Sequence, residues 1–147
     1  MKAGRFFSAL FLFFAINAFA QEDCALGLGG ADPGQIITAF ELDPGQQEKL
    51  LAWVEALNAE NAPLQQKLDS LLAAHPQKTP EDLTALGQKY EQIKGRMVGN
   101  SARYDRLLLG ILRPSQYRVY ESLCRQVGRL PLEPVTSGML EAPEEKH

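Results

Sequence analysis

The stretch LLAAHPQKTPEDL, Leu71 to Leu83, decides the fold. To its left an amphipathic pattern runs out at Ala74. His75-Pro76 then ends it, because proline has no N–H to donate and disfavours helical backbone at the residue before it. To its right, Thr79-Pro80-Glu81-Asp82 is a helix start, with a threonine cap, proline at the first helical position and an acid three residues after the cap. So short a break between two helical patterns turns the chain back on itself as an antiparallel hairpin.

Working outward, both patterns are long. Upstream the seam reads Leu50, Val54, Leu57, Asn61, Leu64, Leu68, Leu71 and His75, in alternating steps of four and three. Downstream it reads Leu83, Leu86, Tyr90, Ile93, Met97, Asn100, Tyr104, Leu107 and Ile111. Folded across the break, the two pair at a constant sum of 154, from Leu71 with Leu83 to Leu50 with Tyr104. Asn61 and Asn100 do not meet in that register, so each needs a backbone or water partner. Pro63 lies inside the first pattern and predicts a kink or split near Asn61. No stretch alternates with the period of a strand, so the fold class is all-α.

Two helices of this length form a thin rod. The run LLLGIL, 107–112, is apolar around its whole circumference and needs cover beyond the hairpin partner. A last helix opening at Pro114, with Tyr117, Tyr120, Leu123, Cys124 and Val127 on its apolar side, supplies part of it. The segment QIITAFEL, 35–42, supplies more as a short N-terminal helix, and a second subunit is expected to supply the rest. Trp53, Leu51 and Leu72 flank the first seam and are expected under the last helix or a second subunit, or else as apolar contacts for a ligand protein. Gly95 and Gly99 share a face with Ala102 opposite the seam, which fits either a close helix approach or flexibility.

The N-terminus reads as an export signal. Lys2 and Arg5 precede an apolar run ending in Ala18-Phe19-Ala20, an A-x-A cleavage pattern. The expected organisation is a signal peptide at 1–20, an N-terminal arm at 21–34, a helical domain at 35–130 and a disordered tail at 131–147. The chain carries a formal net charge of −3, which becomes −5 once Lys2 and Arg5 leave with the signal. Positive charge concentrates in 94–130, where Lys94 and seven arginines meet only Asp105 and Glu121. Export implies an oxidising compartment. Cys24 and Cys124 there have three options: an intramolecular bridge, a bridge between subunits, or two free thiols.

One motif recurs. LDPGQ at Leu42–Gln46 opens the first long helix, and LRPSQ at Leu112–Gln116 opens the last. Leu42, Pro44 and Gln46 match Leu112, Pro114 and Gln116 at an offset of seventy. Proline at the first position and glutamine at the third form a helix-start rule, so the residues themselves favour a structural role. Together with the export signal and the proline-containing hairpin, the repeat resembles the LTxxQ-motif family of periplasmic proteins, the Spy- and CpxP-like chaperones and stress proteins. The resemblance covers about 36–130. It implies a cradle-like antiparallel homodimer that holds unfolded envelope proteins without ATP. Two departures stand out. Neither copy has the threonine, which Asp43 replaces as a cap but Arg113 does not. The chain is also acidic overall, while the positive surface implied for client binding is confined to one segment.

Arg96, Arg103, Arg106, Arg113 and Arg118, with Trp53 and Leu51, are therefore the candidate client contacts. The alternative function is a periplasmic sensor or signalling module that binds a metal or a membrane partner without general holding activity. For metal binding the sequence offers only His75 and His147, with no helical His pair, so neither metal nor cofactor is expected. No nucleophile–base set and no phosphate loop stands out, and an enzyme is not expected. An exported acidic chain is a poor nucleic-acid partner.

Overall fold

A computed structural model describes residues 22–135. It is all-α apart from one minimal strand pair. In chain order come β1 (Asp23–Cys24), α1 (Pro33–Phe40), α2 (Pro44–Ala74), α3 (Pro80–Ile111), α4 (Pro114–Gln126) and β2 (Leu130–Pro131). Residues 1–21, where the export signal is expected, and residues 136–147, His147 among them, lie outside the described residues.

Every helix opens on proline at its first turn. Asp32, Asp43 and Thr79 cap α1, α2 and α3 through side-chain oxygens, satisfying N–H groups that the helix leaves free. Arg113 has no oxygen to offer and makes no such bond at α4. There Gln116 alone closes the turn, its Oε1 accepting the Arg113 N–H at 2.8 Å.

The hairpin of α2 and α3 forms in a different register from the expected one. Asn100 Nδ2 donates to Asn61 Oδ1 at 3.0 Å, so the two seam asparagines do face each other. Their pairing lies one heptad beyond the 154 sum. Leu57 then stands level with Tyr104 and Leu64 with Met97, and the first turns of α3 overhang the end of α2. Leu83, expected against Leu71, is 53% exposed, while Leu86 is buried. A heptad pattern repeats every seven residues, so slipping by seven preserves the apolar–apolar layers. The asparagine pair breaks the tie, because each half-buried seam amide is best satisfied by the other. Pro63 does not split α2, which runs unbroken through it with Pro63 exposed.

The single chain covers its own LLLGIL run. Leu107, Leu108 and Leu109 are buried, and Ile111 and Leu112 pack against one cluster with Leu28, Ile36, Phe40, Leu50, Leu57, Tyr120 and Leu132. No second subunit is needed to account for that burial. The first five residues of the expected tail also pack: Leu132 is buried, and β2 pairs in parallel with β1, Asp23 opposite Leu130.

Candidate functional site

The two copies of the motif meet. Gln46 Nε2 donates to Gln116 Oε1 at 2.9 Å, and Gln116 Nε2 donates to Gln46 Oε1 at 3.0 Å. Each Oε1 also accepts the N–H of its own helix cap, Asp43 at 3.0 Å and Arg113 at 2.8 Å. The remaining amide hydrogens go to backbone carbonyls, from Gln46 to Ile111 at 2.8 Å and from Gln116 to Phe40 at 2.9 Å. Both side chains are buried. Their donors and acceptors are matched, which suits buried amides that water cannot reach. This clasp ties the starts of α2 and α4 to the ends of α1 and α3. Leu42 is buried beside it, Leu112 is half-buried, and Pro44 and Pro114 are exposed at the helix starts.

A second node lies close by. Asp105 on α3 is fully buried and accepts the backbone N–H groups of Leu26 at 2.8 Å, Gly27 at 3.1 Å and Leu28 at 3.1 Å. Burial pushes its carboxyl above the usual carboxylate range, and the three N–H groups pull the other way. Gly27 makes this turn with φ +75°, a conformation that L side chains rarely adopt. A Cβ on Gly29 would stand 2.8 Å from Ser101 Oγ, so the arm lies directly on α3 there. Cys24 is disulfide-bonded to Cys124 of α4, with Cα atoms 5.6 Å apart. The Tyr120 hydroxyl donates to Cys24 O at 2.7 Å and accepts from the Leu132 N–H at 2.7 Å. The base of the hairpin is thus stapled by the segment before α1 and the segment after α4.

Above the base the hairpin has two unlike flanks. In an antiparallel pair, the columns just before the seam positions on both helices fall on one side, and the columns just after them fall on the other. The preceding columns carry Glu60 and Lys67 on α2, and Lys89, Arg96 and Arg103 on α3. Arg103 is ion-paired with Glu60, whose other oxygen accepts the Tyr104 hydroxyl at 2.6 Å. One heptad toward the tip the same positions hold Lys67 and Arg96, so a cation faces a cation. Lys67 and Lys89 border an open groove of about 680 Å³ between the helices, with Leu71 and Ile93 in its wall. The following columns carry Leu51 and Leu72 on α2 and Val98 on α3; these are 52%, 42% and 58% exposed.

The candidate client contacts divide accordingly. Arg96, Arg103 and Arg106 follow one side of α3, and Trp53 on that side is half-buried against the core. Leu51 is on the opposite flank. Arg113 lies 3.5 Å from Asp43 as an exposed ion pair, and Arg118 is exposed on α4. Helical spacing shows which residues share a column, but not which columns of two helices share a flank. That requires the antiparallel pairing. Sequence reasoning missed the Gln46–Gln116 contact and the Asp105 node. The seventy-residue echo was the available signal for the first, and a lone acid beside LLLGIL was the signal for the second.

His75 sits in the exposed 75–79 connection, its Nδ1 2.9 Å from Pro76 O. Among the described residues no cluster of three His, Cys, Asp or Glu side chains is placed to hold a metal ion. Comparison with family models, curated proteins and solved structures finds no match to this chain.

Proposed function

We propose that the protein is a periplasmic, ATP-independent holding chaperone of the envelope-stress type, in which a stapled base carries a helical arm that receives unfolded envelope proteins. The observation that carries this reading is the arm's apolar flank. Leu51, Leu72 and Val98 are each between 42% and 58% exposed, while the fold needs none of them for its core cluster. Large apolar side chains at that exposure offer non-specific contact to unfolded segments, worth about 25 cal/mol per Å² of apolar area covered. The cations of the opposite flank supply weak, salt-screened attraction suited to reversible capture. The resemblance of LDPGQ and LRPSQ to the LTxxQ motif agrees with this reading, and with a homodimer whose two arms form one cradle.

The test is suppression of aggregation of a chemically denatured model client, with no nucleotide, by the mature chain. Near-stoichiometric suppression is expected. The variant Leu51→Ser/Leu72→Ser/Val98→Ser should lose most of it while keeping its helical circular dichroism and midpoint, since exposed substitutions shift stability by only about 0.5 kcal/mol each. Absence of suppression by the folded wild type would overturn the reading. Capture of a single tight membrane partner in its place would establish the sensor alternative.

A further inference from the structure

The two flanks of the hairpin carry opposite charge. The columns just before the seam hold Lys49, Lys67, Lys89, Arg96, Arg103 and Arg106, with only Glu60 and Asp82 among them as acids. Glu60 is paired with Arg103, and Asp82 closes the first turn of α3. The columns just after the seam hold the exposed acids Glu55, Asp69 and Glu91, with Lys94 as their one cation. Lys94 is turned onto the Tyr90 ring, 5.4 Å from its centre. Lys67, Lys89 and Arg96 on one flank, and Asp69 and Glu91 on the other, take part in no ion pair among the described residues. These unpaired groups also stand at one height. In the register fixed by Asn61 and Asn100, Lys89 is level with Leu72, Glu91 with Ser70, Asp69 with Gln92 and Arg96 with Gln65. All fall within about 10 Å of rod at 1.5 Å per residue. Shape agrees with charge there. The cationic flank is hollow, since Lys67 and Lys89 border the open groove with Leu71 and Ile93 in its wall. The acidic flank carries a knob, Leu72, which is 42% exposed one turn from Asp69.

We propose that this groove receives the acidic flank of a second copy of the chain. Leu72 of one copy seats against Leu71 and Ile93 of the next, and Asp69 and Glu91 meet Lys67, Lys89 and Arg96. A positive patch meeting a negative one selects the partner and fixes how the two align. Because the two surfaces differ, the contact is head-to-tail: each copy in a pair keeps one groove or one knob free, and further copies can add. So short a contact falls at the small end of specific interfaces, below about 1,200 Å² in total, where association is weak and transient. It is also sensitive to salt, since its charges are exposed.

The experiment is sedimentation velocity of the mature chain over a concentration series at low ionic strength, beside two variants. Lys67→Gln/Lys89→Gln removes the groove's charge, and Asp69→Asn/Leu72→Ser/Glu91→Gln removes the knob and its acids. The wild type is expected to grow past two chains with concentration, and to fall back in 1 M salt, where the screening length is ~3 Å. Each variant alone should keep its helical circular dichroism and associate about ten-fold or more weakly. Mixed together, each variant supplies the flank that the other lacks, so association returns but stops at one-to-one pairs. A symmetric interface cannot give that result, because both partners would then need the same intact surface. A wild type that closes at two chains overturns the proposal, as does association that neither variant weakens, or a mixture that associates no better than either variant alone. A wild type that stays monomeric throughout also overturns it, and leaves the groove to a foreign acidic segment. No client is present, so the result stands or falls separately from the holding activity.

Discussion

Leu57 and Leu72 belong to the same helix and the same kind of heptad pattern, yet Leu57 is completely buried and Leu72 is 42% exposed. Part of the difference is one column, since Leu57 faces α3 directly and Leu72 sits just past the seam. Position along the rod adds to it. At the base, the arm from β1, the helices α1 and α4 and the start of the tail pack on the hairpin, so Leu108 beyond the seam is fully buried there, while Leu51 stays 52% exposed. Toward the tip, among the described residues, each long helix has only the other beside it. Leu64, Leu68 and Leu86 are buried there, but none joins the main cluster, and Val98 and Leu83 stay open. Two helices shield one stripe each. A core needs a third layer.

The comparison predicts where substitutions act strongly and where weakly. The largest effect is on the staple. The Cys24–Cys124 bond spans a sequence separation of 100, and the chain-entropy model assigns a loop of that size about 4.7 kcal/mol. Cys24→Ser/Cys124→Ser should therefore lower the unfolding free energy by up to a comparable amount, read from the shifted denaturant midpoint and its slope. Hydrogen exchange should show the loss in 22–57 and 100–132, with the tip hairpin little altered. A uniform loss along the whole rod would mean that base and tip are one cooperative unit.

Asp105→Ala comes next. It leaves three buried or half-buried N–H groups without an acceptor, at about 1–3 kcal/mol for each unsatisfied group, so a total near 3 kcal/mol is expected in equilibrium unfolding. Exchange of the Leu26, Gly27 and Leu28 amides should accelerate first. A smaller effect belongs to the clasp: Gln46→Ala and Gln116→Ala should each cost about 1–3 kcal/mol, and the double variant clearly less than the two together. Strict additivity would show that each amide works only as its own helix cap.

The smallest effect lies at the tip and has the opposite sign. Gly87, Gly95 and Gly99 have open space where a Cβ would stand, so alanine at each should stabilise the chain by up to about 1 kcal/mol, read as a rise in the melting midpoint. Loss of stability at Gly95 or Gly99 would reveal a close neighbour on that face, as in a dimer.

The sequence by itself determined the elements. Proline at the starts of α2, α3 and α4, capping oxygens on Asp43 and Thr79, and the break at His75-Pro76 are local signals, and local backbone chemistry makes these helix starts legible without knowledge of the fold, whereas the Asp32-Pro33 start of α1 fell inside the expected arm. The heptad seam showed which face of each long helix turns inward, and on that face Leu50, Leu57, Leu64, Leu68, Leu86, Tyr104 and Leu107 are buried while Tyr90, Ile93 and Met97 are half-buried. Only the tertiary structure decided the rest. The register was ambiguous by one heptad, because a periodic pattern fits itself after any whole period, and it took the Asn61–Asn100 hydrogen bond to select one alignment. The clasp was half legible. Gln46 and Gln116 announce themselves as capping partners through Oε1, but the Nε2 donors of each are satisfied by the other across a separation of seventy residues, which no local rule encodes. Asp105 was illegible for the same reason: three consecutive N–H groups from the arm make a buried acid acceptable, and they arrive only when the chain ends fold back onto α3.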